Sequence, residues 1–291
     1  VAVGGLNNAT AISAISDAGD VVLENDGPVQ VQAVYGNGIG LYAYSTYGNA
    51  SVGNTGDISV ESVNGLADGI FASGADVDVT NAGSLEVNGS TWAAGIEAQG
   101  TGIATVQNDG DIFAYADGPG GTAFGIYATG DAGITLGNTA NVEAQGYYAT
   151  GIEARSNGDI AIDTTGNITA GYIYSGNYYS AVATGINAMT GGIDAQVTVT
   201  NGGDIAALGY YGATGISAVS SGQGGTASVD NSGNITVAQG NKYGYGANGI
   251  FVSADDDATI TNTGSITVNS EGAAAGAVAL SFAGDASVEI G

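Results

Sequence analysis

Arg155 and Lys242 are the only fixed cations in a chain of 291 residues that carries 28 Asp and Glu, no His and no Cys. That inventory removes whole classes of chemistry. A Ser-His-Asp or Cys-His arrangement needs an imidazole, so activated-nucleophile hydrolysis is out of reach. Carboxylates remain, and a pair held at fixed separation is the machinery of glycoside hydrolysis. Base-assisted cleavage of a polysaccharide needs a placed Arg or Lys. Here the two cations fall in different repeats, Arg155 beside a strand end and Lys242 in a loop. No catalytic residue is assigned, and the chain reads as a non-enzyme, with a polysaccharide-active β-helix enzyme as the third functional reading.

Oxygen-rich clusters suit calcium. The only dense run is Asp255-Asp256-Asp257, with Asp76 and Asp78 as a second close pair. The segment SGQGGTASVD from Ser221 has its glycines at the wrong spacing from Asp230 for a glycine–aspartate calcium repeat. These carboxylates read as solvated turn charges. No metal or cofactor residue is assigned, and Ca2+ enters only as a weakly held counterion.

The net charge of −26 makes nucleic acid a poor partner, because almost nothing is available to neutralise phosphate. Anionic membrane surfaces are repelled in the same way. No apolar run reaches the roughly 18 residues that span a bilayer, so membrane insertion by this segment is not expected. Gly accounts for 53 residues, yet the apolar fraction is 44%, enough to build a core and too much for a disordered chain.

The elements that position these residues are repeats. Asn-x-Gly-x-Ile-x-Val recurs as NTGDISV from Asn54, NAGSLEV from Asn81, NDGDIFA from Asn108, NGGDIAA from Asn201, NSGNITV from Asn231 and NTGSITV from Asn262. Looser copies start at Asn25, Asn138 and Thr164, so the period is about 30 residues. Between them stands Ala-x-Gly-Ile-x-Ala, at Ala67, Ala93, Ala149, Ala183, Ala213 and Ala247 in turn. A third alternating stretch precedes each Asn, as in VDVTN from Val77 and VTVTN from Val197. All three phrases place apolar residues at every second position, the period of a strand.

Three strands per repeat describe one coil of a solenoid. The expected fold is all-β, a right-handed parallel β-helix of about ten coils with three short strands each, forming a single domain over residues 1–291. Ile58, Val60, Ile70, Ala72, Val77 and Val79 are the expected inward positions. Outward positions test the stacking, since like charges about 4.8 Å apart repel by about 0.9 kcal/mol even in water. The residue after Asn-x-Gly runs Pro28, Asp57, Ser84, Asp111, Asn141, Asn167, Asp204, Asn234, Ser265, with no two acids adjacent. The series Phe71, Glu97, Tyr127, Glu153, Asn187 alternates likewise.

The recurrent Asn is expected to form a side-chain ladder along the stack and to tolerate left-handed turn geometry, with Gly following. Asn167-Ile-Thr and Asn234-Ile-Thr also match a glycosylation sequon. The 16 Tyr gather between the first and second strands, as in GYY at Gly146, GYIYSGNYY at Gly171, GYY at Gly209 and KYGYG at Lys242. There they form either an exposed contact stripe for a glycan or protein, or a cover over the strand edges.

The alternation of NxGxI, AxGIxA and VxN over Asn25–Gly276 resembles the repeat region of bacterial autotransporter passenger domains and haemagglutinin-like β-helical adhesins. That resemblance implies export to a bacterial cell surface and a role in adhesion or biofilm. The expected function is a secreted or cell-surface adhesive rod that contacts a glycan or protein of a host or neighbouring cell. The alternative is a filament protomer: Val1-Ala2-Val3 and Ser287–Ile290 read as uncapped terminal strands, which invites end-to-end self-association.

Overall fold

The computed structural model describes residues 1–174, 177–178 and 180–291. Its three principal sheets hold ten parallel strands each, and every third strand in chain order enters the same sheet. The result is a right-handed β-solenoid of ten coils, a rod of about 45 Å at 4.8 Å per coil. A two-stranded antiparallel pair, Ile173–Tyr174 with Asn177–Tyr178, is the only departure among the described residues.

Each sequence phrase builds one sheet. The Asn-x-Gly-x-Ile copies give the first sheet, where Leu85 pairs with Ile58 on one side and Ile112 on the other. The Ala-x-Gly-Ile copies give the second sheet, and the stretches ending at Asn give the third. Ile58, Val60, Ile70, Ala72, Val77 and Val79 are all at most 2% exposed. Stacked Ile, Val, Leu and Ala fill the narrow interior from end to end, and their β-branched stiffness suits identical rotamers in successive coils.

The two glycine phrases interlock. Gly95 lies in the second sheet, and a Cβ there would come within 2.3 Å of the Ile112 Cγ2 atom and 2.6 Å of the Gly125 carbonyl oxygen. Gly125, Gly151, Gly185, Gly215 and Gly249 face the same obstruction from Val142, Ile168, Ile205, Ile235 and Ile266. The glycine of one coil therefore makes room for the first-sheet Ile or Val of the next. Gly95 and Ile96 both turn inward, so the strand's alternation slips by one residue at that point.

The Asn turns form the expected ladder. Asn25, Asn54, Asn81 and Asn108 each donate from Nδ2 to the next Asn Oδ1 at 2.7–2.8 Å. The same Nδ2 atoms donate to the carbonyl two residues on, at 2.8–2.9 Å. The geometry differs from expectation in one respect. The turn glycines are absent from the positive-φ set among the described residues, so left-handed backbone is not their reason. Close stacking is: a Cβ on Gly83 would lie 2.1 Å from the Gly56 carbonyl oxygen, and one on Gly110 equally close to that of Gly83.

Candidate binding face

The outward side of the second sheet collects the residues with the most chemistry. Register places Tyr42, Phe71, Glu97, Tyr127, Glu153 and Asn187 in one column. The neighbouring column contains Asp68, Ala94 and Phe124, and Trp92 stands beyond it. Tyr42 lies parallel to Phe71 with centroids 5.1 Å apart, and Tyr44 flanks Tyr42 at 6.3 Å. One coil further on, Trp92 meets Phe124 at 4.8 Å and Tyr127 edge-on at 5.7 Å. Tyr42, Tyr44, Phe71, Trp92 and Tyr127 are half-buried, which leaves part of each ring at the surface.

A carboxylate holds the indole in place. The Trp92 Nε1–H donates to Asp68 Oδ1 at 3.1 Å, so the indole bridges from one coil back to the previous one while packing on the next. Asp68 is 3% exposed and Glu97 8%, and the two carboxyls influence each other directly. Burial, reinforced by the Glu97 charge, pushes the Asp68 carboxyl well above its usual range. Burial also raises Glu97, against the hydrogen bonds it accepts from Gln99, Asp68 and Trp92. Both carboxyls are thus pushed upward, chiefly by burial.

Glu153, 2% exposed, is raised by burial too, and Arg155 and Asn187 partly offset this. The Arg155 Nε–H donates to Glu153 Oε1 at 2.6 Å, and Asn187 Nδ2 donates to both Glu153 oxygens. Arg155 thus fixes Glu153, the next residue in the column after Tyr127. Burial raises the Tyr127 hydroxyl, which sits in the column between Glu97 and Glu153.

The column reading anticipated Phe71, Glu97, Tyr127 and Glu153 as neighbours. It missed the Asp68–Glu97 contact, because those acids are diagonal neighbours and a comparison within single columns does not see them. Trp92 and Phe124 are not singled out by the repeat, although Trp92 directly precedes one Ala-x-Gly-Ile phrase and Phe124 is the variable residue of another.

The other sequence candidates are placed as follows. Asp255 Oδ2 accepts from the Gly224 amide and Asp257 Oδ1 from that of Asp285, while Asp76 Oδ1 accepts from Ile103. No group of three Asp or Glu among the described residues is arranged to hold a metal ion. Asn167 and Asn234, the two sequon residues, lie in an exposed ladder on the outside of the corner.

That outer ladder also explains the alternation of acids. Asp57 Oδ1 accepts from the Ser84 amide and hydroxyl at 3.0 and 2.8 Å. Asp111 accepts from Asn141, and Asp204 from Asn234, in the same way. Each acceptor needs a donor-bearing residue in the next coil, which a second carboxylate would not provide. The two Ser84 bonds hold the exposed Asp57 carboxyl below its usual range.

The Tyr-rich corner differs from an along-axis stripe. Tyr147 and Tyr148 meet edge-on at 5.0 Å, and Tyr210 and Tyr211 at 4.9 Å, each pair within a single tight turn. Ser180 and Ala181 occupy the coil between them. Tyr243 and Tyr245 are exposed, with the Lys242 Nζ atom 4.8 Å from the Tyr243 ring centre. Tyr179 and the side chains of Tyr174 and Tyr178 lie outside the described residues. No family model, no curated protein and no solved structure matches the chain.

Proposed function

We propose that the protein is a non-enzymatic, extracellular or bacterial cell-surface rod that adheres to a saccharide chain through the outward face of its second sheet. One observation carries this reading. Tyr42, Tyr44, Phe71, Trp92, Phe124 and Tyr127 form two ring clusters separated along the rod by the polar Glu97. The half-exposed rings of Tyr42, Tyr44, Phe71, Trp92 and Tyr127 take the apolar C–H faces of sugars, with Phe124 packed beneath them. A platform whose indole is fixed by Asp68 loses little side-chain freedom on binding. The rod itself acts as a rigid spacer.

The high negative charge selects against anionic polymers, so the ligand is a neutral or cationic glycan. Affinity electrophoresis through gels containing soluble polysaccharides tests the reading. The protein is expected to be retarded by at least one neutral polysaccharide, and Trp92→Ala or Tyr127→Ala to run freely while keeping the β-sheet circular dichroism of the parent. Retardation unaffected by these variants, or none with any polysaccharide, would overturn it.

A further inference from the structure

The second sheet carries no free surface carboxylate along its whole length. The only charged residues in its ten strands are Asp68, Glu97, Glu153 and Arg155. The three acids are buried, and Arg155 is paired with Glu153. The other two sheets present exposed carboxylates, Glu61 and Glu86 on the first, Asp78 and Asp163 on the third. In a chain of net charge −26, copies that met through those sheets would bring like charges together. Through the second sheet two copies can approach without that repulsion.

The uncharged character continues past the aromatic clusters. In the last four coils the outward columns hold Met189, Val219, Phe251, Val278 and Leu280, each at least partly exposed. An apolar half therefore follows an aromatic half on one face, with Glu153 and Arg155 between them. Strands of this sheet are eight or nine residues long. Ten coils of such strands present a face of about 45 Å by about 30 Å, larger than the roughly 800 Å² per partner of a stable interface.

We infer that two copies of this chain pair face to face through their second sheets, with the rods running in opposite directions. A two-fold axis along the strands, between the Tyr127 and Glu153 rows, lays the aromatic half of each copy on the apolar half of the other. Phe71 then faces Ser217, Ser73 faces Val219, and Glu97 faces Asn187. Large side chains meet small ones, as interdigitating layers require, and no two charges of one sign oppose. Rods running the same way would instead set each residue of the central column, Glu97 and Glu153 included, against its own copy. The pairing covers the proposed saccharide-binding face, so a bound polysaccharide competes with the second copy. That consequence alone rests on the saccharide reading.

The chain has no Cys, so introduced thiols report the geometry cleanly. In the double variant Ser73→Cys, Val219→Cys the two thiols of one chain stand five coils apart, about 24 Å, beyond the reach of a short bismaleimide. Across the pair they face each other between sheets about 10 Å apart. The double variant is expected to give a cross-linked dimer, and Ser217→Cys alone to give none. Sedimentation velocity is expected to show a dimer of the parent. Phe251→Glu should raise its dissociation constant at least about tenfold, with the β-sheet circular dichroism unchanged. Val22→Glu, on the exposed outside of the third sheet, should leave the dimer intact. A parent that stays monomeric, cross-linking through Ser217→Cys alone, or equal effects of Phe251→Glu and Val22→Glu would overturn the inference. A dimer that no polysaccharide dissociates would support the pairing and count against the saccharide reading instead.

Discussion

Asn201 Oδ1 is a buried side-chain oxygen with no hydrogen-bond partner, and the cause lies one coil away. Thr164 occupies the ladder position where other coils have Asn. Its hydroxyl accepts from Asn138 Nδ2 at 3.1 Å and faces the Gly166 carbonyl at 3.5 Å, so it has no proton left for Asn201. Thr164→Asn supplies an Nδ2 group that reaches both acceptors. It is expected to raise stability by about 1–3 kcal/mol, the cost of an unsatisfied buried group, measured by chemical denaturation. Removing a ladder member, as in Asn108→Ala, is expected to destabilise by a similar or larger amount, since Asn108 both accepts from Asn81 and donates to Asn138. Asp68 and Glu97 make stability depend on pH. A carboxyl whose folded value is raised stabilises the fold fully below its unfolded value near about 4 and loses that contribution as pH rises through the folded value. The thermal midpoint is therefore expected to fall from pH 4 towards pH 7. In Asp68→Asn, whose amide can donate to Glu97 and accept from Trp92, it should fall less steeply. A midpoint that rises over this range, or an unchanged slope in the variant, would contradict the raised carboxyls. The Asn ladder was legible from its spacing. The Asp68–Glu97 pair was not, because diagonal contacts depend on side-chain reach across two columns.

At the scale of elements, the two glycine phrases are one device seen from both sides. A Cβ at Gly125 would lie 2.0 Å from the Val142 Cγ1 atom and 2.6 Å from the Gly151 carbonyl oxygen, and backbone cannot yield as a flexible side chain does. Gly125→Ala is expected to destabilise by about 1–3 kcal/mol through overpacking. Gly276→Ala provides the control, because its Cβ meets nothing within 4 Å and the change should be near neutral. Equal effects at both sites in thermal denaturation would remove the interlocking account. The strands, their order and their inward faces were readable from the period-two alternation around Ile58, Ile70 and Val77. The reason for the glycines was not. Sequence alone presents Asn-x-Gly as a turn signal, whereas the structure assigns its glycine to close approach of stacked backbones.

Across the whole molecule, ten in-register coils convert short repeated phrases into columns, and the columns carry the functional proposals. Repetition explains why the architecture was legible while the binding surfaces were harder to read. A column's composition depends on which residue each variable outward position holds, and Trp92 and Phe124 are single departures from the repeat. Trp92 is the only tryptophan in the chain and stands in the proposed saccharide-binding face, so its fluorescence reports that face alone. Titration with the polysaccharide that retards the protein most strongly is the direct measurement. A saturable change in Trp92 emission, lost in Tyr127→Ala and unaffected by Glu86→Gln, is the predicted result. Binding by calorimetry with an unchanged Trp92 signal would place the ligand elsewhere and contradict the account.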